Sequence, residues 1–127
     1  MNQILLVAIG GAIGSVFRYE ISTGVYKVLG HAFPYGTLVV NVVGSFLAGV
    51  VFVALVGKLA GFSEQLRALL LIGFLGGFTT FSAFSLDTIL LVQKGELASA
   101  LLNMALSLAL CLGATGLGVL IARRLVE

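Results

Sequence analysis

The sequence predicts an all-α integral membrane protein of four transmembrane helices, the third of them broken. Three observations predict this. Hydrophobic residues make up 60% of the 127-residue chain and charged residues 9%, with a mean hydropathy of +1.20, well outside the balance of a soluble globular domain. Four runs lack Asp, Glu, Lys and Arg over most of the roughly 20 residues a bilayer crossing needs: Met1 to Phe17, Val28 to Gly57, Ala68 to Leu86 and Leu97 to Ala122. The third run carries Gly73, Gly76 and Gly77, the pair Thr79-Thr80 and four phenylalanines within GFLGGFTTFSAFS, an apolar span with weakened helix propensity at its centre.

The predicted spans are about 4–27, 36–57, 66–92 and 97–122, joined by connectors at 28–35, 58–65 and 93–96, so residues 1–127 form one transmembrane domain with no soluble domain. No basic region precedes the first apolar run, and this span is expected to stay in the membrane rather than be cleaved as a signal. The lone Cys111 allows no internal disulfide, and a net charge of +2 scattered along the chain gives no basic patch for nucleic acid. One histidine, one cysteine and no clustered carboxylates leave enzyme chemistry without its parts. The expected partners are the lipid bilayer, a second copy and an ion.

In the first span Gly10, Gly14 and Arg18 recur every four residues, as do Gly11 and Ser15, a small-residue face suited to close helix packing. Arg18 either snorkels to the interface or faces an aqueous vestibule. Glu20 pairs with a base or lies in water, and His31, beside Pro34 and Gly36, reads as a solvated loop residue. In the second span Thr37, Asn41 and Ser45 share one slowly winding face, with Gly44 and Ala48 repeating the small-residue pattern. Asn41 matters most, because an unpaired amide at membrane depth costs several kcal/mol. It either serves an ion or joins two helices by a hydrogen bond.

In the third span Phe74, Phe78, Phe81 and Phe84 would share one face of a continuous helix. Gly76-Gly77 and the β-branched Thr79-Thr80 interrupt it. Irregular backbone at membrane depth is tolerated only where it is buried in protein or lines a cavity, and broken helices commonly gather ions. In the fourth span Ser99, Asn103, Ser107, Cys111 and Thr115 form a polar ladder at intervals of four. Any one hydroxyl can instead bond back to its own helix, but five in register point to a donor-rich face. Glu64, Arg67, Lys94, Glu96, Arg123 and Arg124 read as solvated helix ends.

Lys58, Arg67, Arg123 and Arg124 fall on one side of the membrane, against Lys27, Lys94 and Arg18 on the other. So slight an imbalance gives little orientation under the positive-inside rule and allows copies inserted both ways to pair antiparallel. An oligomer is expected, since polar groups at membrane depth need a partner or water.

Three motifs in this order, GGAIGSVFRY (Gly10 to Tyr19), PYGTLVVNVVGSF (Pro34 to Phe46) and GFLGGFTTFSAFS (Gly73 to Ser85), resemble the Fluc (CrcB) fluoride channels. The resemblance covers essentially the whole chain, and the third motif is its most specific part. It implies a fluoride-selective passive channel of the bacterial inner membrane, built as an antiparallel, dual-topology homodimer with two pores. By motif position it implies Asn41 as the pore asparagine, Phe81 and Phe84 as the rings lining the ion path, and Thr37, Ser82, Ser85 and Ser107 as members of a polar track. It also implies Arg18 as a vestibular arginine and the backbone carbonyls of Gly76 and Thr79 as ligands of a central structural Na+. The chain departs from the family in the fourth span, where Asn103 and Cys111 stand in place of a tyrosine or other polar group. The competing reading is a small dual-topology, proton-coupled multidrug transporter. It wants a membrane-embedded carboxylate, for which only Glu20 and Asp87 are available, both toward span ends.

Overall fold

The computed structural model describes residues 2–126 and contains four helices long and apolar enough to cross a membrane, Gln3–Leu29, Tyr35–Val56, Ala60–Gln93 and Leu97–Val126. Helix α1 (Gln3–Leu29) starts where the Asn2 side chain accepts the Ile4 N–H at 2.9 Å, a side-chain cap on an otherwise orphaned donor. It ends at Gly30, whose φ of 81° lies in the region favouring glycine. Pro34 precedes α2 (Tyr35–Val56), and Leu97–Val126 forms the last and longest helix, α5.

The expected connector at 58–65 is mostly helical. A 3₁₀ turn at Ala60–Phe62 leads into an α turn at Ser63–Leu66, the start of the third helix, α3 (60–78). Ser63, Glu64 and Gln65 make this stretch polar, but Glu, Gln and Leu are good helix formers, and polarity had been read as loop. Arg67–Leu75 then continues as a π-helix and Gly76–Phe78 closes α3 with a last α turn. The π-helical stretch had no sequence signal, because in a segment apolar all round a wider turn leaves no distinct periodicity.

At Thr79 and Thr80 the backbone is extended, with φ/ψ of −84°/155° and −151°/114°, and α4 (Phe81–Gln93) starts afresh. The break thus falls on the threonine pair rather than on Gly76-Gly77. Both glycines remain helical, and Gly77 is needed for packing, whereas Gly76 has room for a side chain. A Cβ on Gly77 would lie 2.7 Å from the Gly11 carbonyl, and one on Gly10 or Gly14 would run into the backbone of α3 at Leu69 or Phe74. The small-residue faces of α1 and α3 therefore mesh backbone to backbone.

Helices α2 and α5 pack in the same manner. A Cβ on Gly49 would strike the Thr115 carbonyl, and one on Gly118 the Phe46 carbonyl, while Thr115 Oγ1 donates to the Ser45 carbonyl at 2.9 Å. Much of α5 faces outward, including Leu101, Leu108, Leu112 and Leu120, as expected of a surface meeting lipid or another copy.

Candidate functional site

The break leaves two helix ends facing each other. Thr79 closes α3 with two bonds to one acceptor, its N–H and its Oγ1 each donating to the Leu75 carbonyl at 2.9 Å. Thr80 opens α4, its Oγ1 accepting the Ala83 N–H at 3.1 Å and sharing a 3.2 Å hydrogen bond with Ser82 Oγ. The carbonyl end of one helix carries partial negative charge and the N–H end of the next partial positive charge. A single short stretch thus presents both signs at membrane depth.

Asn41 holds the break open. Its Nδ2 donates to the Thr80 carbonyl at 3.1 Å, and its Oδ1 accepts the Thr80 N–H at 2.8 Å, so one primary amide pairs with both backbone polar groups of a single residue. This is the hydrogen bond between helices that the sequence left open as one of two roles. An amide has two N–H donors, and only one of Asn41's is engaged by Thr80. Because the Thr80 N–H goes to Asn41, the Gly76 carbonyl loses the partner it would have had in a continuous helix.

Around Asn41 lies a groove of about 470 Å³ whose lining includes Ser45, Gly76, Thr79, Phe81, Phe84, Ser107 and Cys111. Six of the sequence-predicted site residues, Asn41, Gly76, Thr79, Phe81, Phe84 and Ser107, therefore come together. The phenylalanine stripe does not survive as one face. Phe74 and Phe78 stack at 5.8 Å on one side of the break, and Phe81 and Phe84 form a separate tilted pair at 5.4 Å and 44° on the other. Phe78 is buried, whereas Phe81 is 79% exposed, which leaves its ring edges open to the groove mouth.

The remaining predicted residues lie elsewhere. Thr37 Oγ1 donates to Asp87 Oδ2 at 2.8 Å, joining α2 to α4 beyond the groove. Ser82 is exposed beside Thr80, and Ser85 is half-buried outside the groove lining. Arg18 lies outside the groove lining. It is half-buried, and its Nε donates to the Gly77 carbonyl at 3.0 Å, a cation set against the carbonyl end of α3.

The polar ladder of α5 divides as well. Ser107, Cys111 and Thr115 line the groove, but Asn103 is 2% exposed and faces inward, donating through Nδ2 to Thr88 Oγ1 at 3.0 Å. Sequence reasoning missed Thr88, and it named Thr80 and Asp87 without the hydrogen bonds they make to Asn41 and Thr37. The spacing of four from Thr80 to Phe84 to Thr88 was available, yet nothing in the sequence said which polar groups on other helices they would meet.

The sequence profile of the CrcB-like protein family, Camphor Resistance (CrcB), matches residues 5–119, a range that takes in α1 to α4 and most of α5. The chain belongs to the CrcB-like family. It is 52% identical over 118 residues, 93% of its own length and 94% of the relative's, to the protein named fluoride-specific ion channel FluC in Shewanella baltica strain OS185. It is equally similar, at 52% over the same span, to the FluC of Shewanella sp. strain ANA-3, and 51% identical to that of Shewanella sp. strain W3-18-1. In this CrcB-like chain the whole groove lies within the matched range.

Proposed function

We propose that the chain is a fluoride-selective passive channel of the bacterial plasma membrane, working as an antiparallel dual-topology homodimer with two pores. The observation that carries this reading is the single groove in which the Asn41 amide, the Phe81 and Phe84 rings and the Ser107 hydroxyl converge beside the broken helix, in a family whose relatives are named fluoride-specific ion channels.

Moving a small anion into a low-dielectric medium costs on the order of tens of kcal/mol in the Born limit. Ring edges, with their partial positive charge, contribute only about 0.5 to 1.5 kcal/mol in aromatic pairs. Stronger donors must carry most of the load: the second Asn41 N–H, the hydroxyls of Ser107, Ser82 and Ser85, and residual water, whereas the one hydroxyl hydrogen of Thr37 is committed to Asp87. The rings then serve selectivity, receiving fluoride from these donors without a site deep enough to trap it.

A groove open on one side and a Phe81 ring 79% exposed suit a second copy. The weak charge imbalance between membrane faces favours an inverted one, and the two copies would cross at their breaks. A structural Na+ shared there would be held by the Gly76 and Thr79 carbonyls of both copies. These groups fit a hard cation: they are neutral oxygens at the negative end of a helix, and Gly76 has no helical partner for its own. Bound there, the ion supplies a fixed positive field across a region where water does not screen it. Arg18, bonded to Gly77, adds a cation on the far side of the same helix end and so contributes to the potential that draws anions toward the break.

The multidrug-transporter alternative needs a free intramembrane carboxylate to exchange protons, and Asp87 already accepts a bond from Thr37. Fluoride efflux from liposomes holding the purified protein separates the two readings. The channel reading predicts fluoride release that depends on a potassium ionophore to dissipate voltage and is indifferent to a proton gradient. Release that requires the proton gradient, or uptake of organic cations without fluoride release, contradicts it.

A further inference from the structure

We propose that Asn103, acting through Thr88, is a positioning residue that sets the rotation of α4 and so the direction in which Phe81 and Phe84 face the ion path. This rests on the fluoride-channel reading of the groove. The argument begins at the break, where two extended residues separate α4 from α3. The rotation of α4 about its axis is therefore not inherited from the helix before it and must be fixed by contacts made by α4 itself.

Those contacts are few. Of the 13 residues of α4 only Thr88 and Leu91 are buried; the half-buried Asp87 accepts a bond from Thr37 of α2 about 100° round the axis from Thr88, and Leu91 gives no directional bond. Thr88 does. Its Oγ1 donates to the Phe84 carbonyl at 2.8 Å and accepts from Asn103 Nδ2 at 3.0 Å. A hydroxyl has one hydrogen, which is committed to Phe84, so Asn103 must be the donor, and the relay runs one way from α5 to the backbone of the ring-bearing turn.

Thr88 is 8% exposed and Asn103 2%, so water does not compete for either bond. A helix turns about 100° per residue, which puts Thr88 within roughly 40° of Phe84 around the axis. A tether at Thr88 is therefore a tether on the face that carries the ring. The Asn41 pair with Thr80 holds the start of the helix, and two turns on the Thr37–Asp87 bond holds its α2 side while the relay holds the side nearer the rings. Phe81, mostly exposed, has little side-chain packing of its own within the chain to aim it, and follows the backbone.

The test compares wild type with Thr88→Val, Asn103→Leu and Thr88→Ser, each reconstituted in planar bilayers and read for fluoride current and for the fluoride-over-chloride permeability ratio. Wild type should conduct fluoride selectively. Thr88→Val and Asn103→Leu should lower the fluoride current roughly tenfold, the effect of losing one interhelical hydrogen bond in a membrane, and should lower the permeability ratio. Thr88→Ser, which keeps the hydroxyl, should retain both, and the Thr88→Val/Asn103→Leu double variant should be no worse than either single one. Helix packing alone would change the yield of folded protein without moving the ratio.

Wild-type current and ratio in both Thr88→Val and Asn103→Leu would overturn the relay while leaving the channel reading intact. A wild-type protein without fluoride current overturns both. Thr88→Ala asks the same question where Thr88→Val does not purify. If none of the hydroxyl-free or amide-free proteins folds while wild type and Thr88→Ser do, the relay holds the bundle rather than the rings and the proposal falls.

Discussion

At the scale of single residues, Asn41 is the group on which most depends. Its amide satisfies both backbone polar groups of Thr80, and each would cost about 1 to 3 kcal/mol if left buried without a partner. Asn41→Leu is expected to lower fluoride efflux from liposomes by about tenfold or more and to lower the thermal midpoint of the purified protein. Efflux at the wild-type rate would show that the amide serves neither the break nor the ion. The rings make a different prediction. Phe81→Ile and Phe84→Ile remove the edge dipoles but keep an apolar side chain, so folding should persist while the fluoride-over-chloride permeability ratio falls. Undiminished selectivity in both would take the rings out of the mechanism. The importance of Asn41 was legible because an amide on an apolar face, between Thr37 and Ser45, is costly unless it is used. Its partner was not legible, because a backbone peptide carries no sequence mark and becomes available only once the helix has broken at Thr79-Thr80. Arg18 is similar: its charge stood out, but the Gly77 carbonyl it bonds is one of many that a sequence presents equally.

At the scale of elements, four spans and their order follow from the charge-free runs, and each predicted boundary except the one at 58–65 lies within a few residues of the observed helix end. The interior of the third span was legible in kind but not in detail. Gly76-Gly77 and Thr79-Thr80 both disfavour a helix by intrinsic propensity, and packing decided between them, since Gly77 must remain small and regular to lie against Gly11. The mesh of α1 with α3 yields a paired prediction. Gly14→Ala places a methyl group against the Phe74 backbone, where no flexible side chain can give way, and should destabilise the protein by about 1 to 3 kcal/mol. Gly113→Ala, in α5 with nothing within 4 Å of the added carbon, should be neutral or slightly stabilising, because alanine is the better helix former. Unfolding of both variants in mixed micelles reads this difference, and equal stability of the two would mean that the glycine face does not set the α1–α3 distance.

At the scale of the whole molecule, the proposed pathway is built from a groove on one chain. The groove is lined by α2, α3, α4 and α5, Gly76 at its lining is exposed, and Phe81 is mostly exposed. The near balance of Lys and Arg between the membrane faces, with Lys58, Arg67, Arg123 and Arg124 near one end and Lys27 and Lys94 near the other, fits a pair of oppositely inserted copies that closes both grooves at once. The division of polar residues between groove and helix contacts depends on how α4 is turned after the break, a property of tertiary structure alone. The most direct test of the account is the reversal potential of the purified protein in a planar bilayer, with fluoride graded across the membrane, chloride graded in the opposite sense and a pH difference imposed. The account predicts reversal at the fluoride equilibrium potential whatever the pH difference. Reversal that follows chloride or the proton gradient would contradict it.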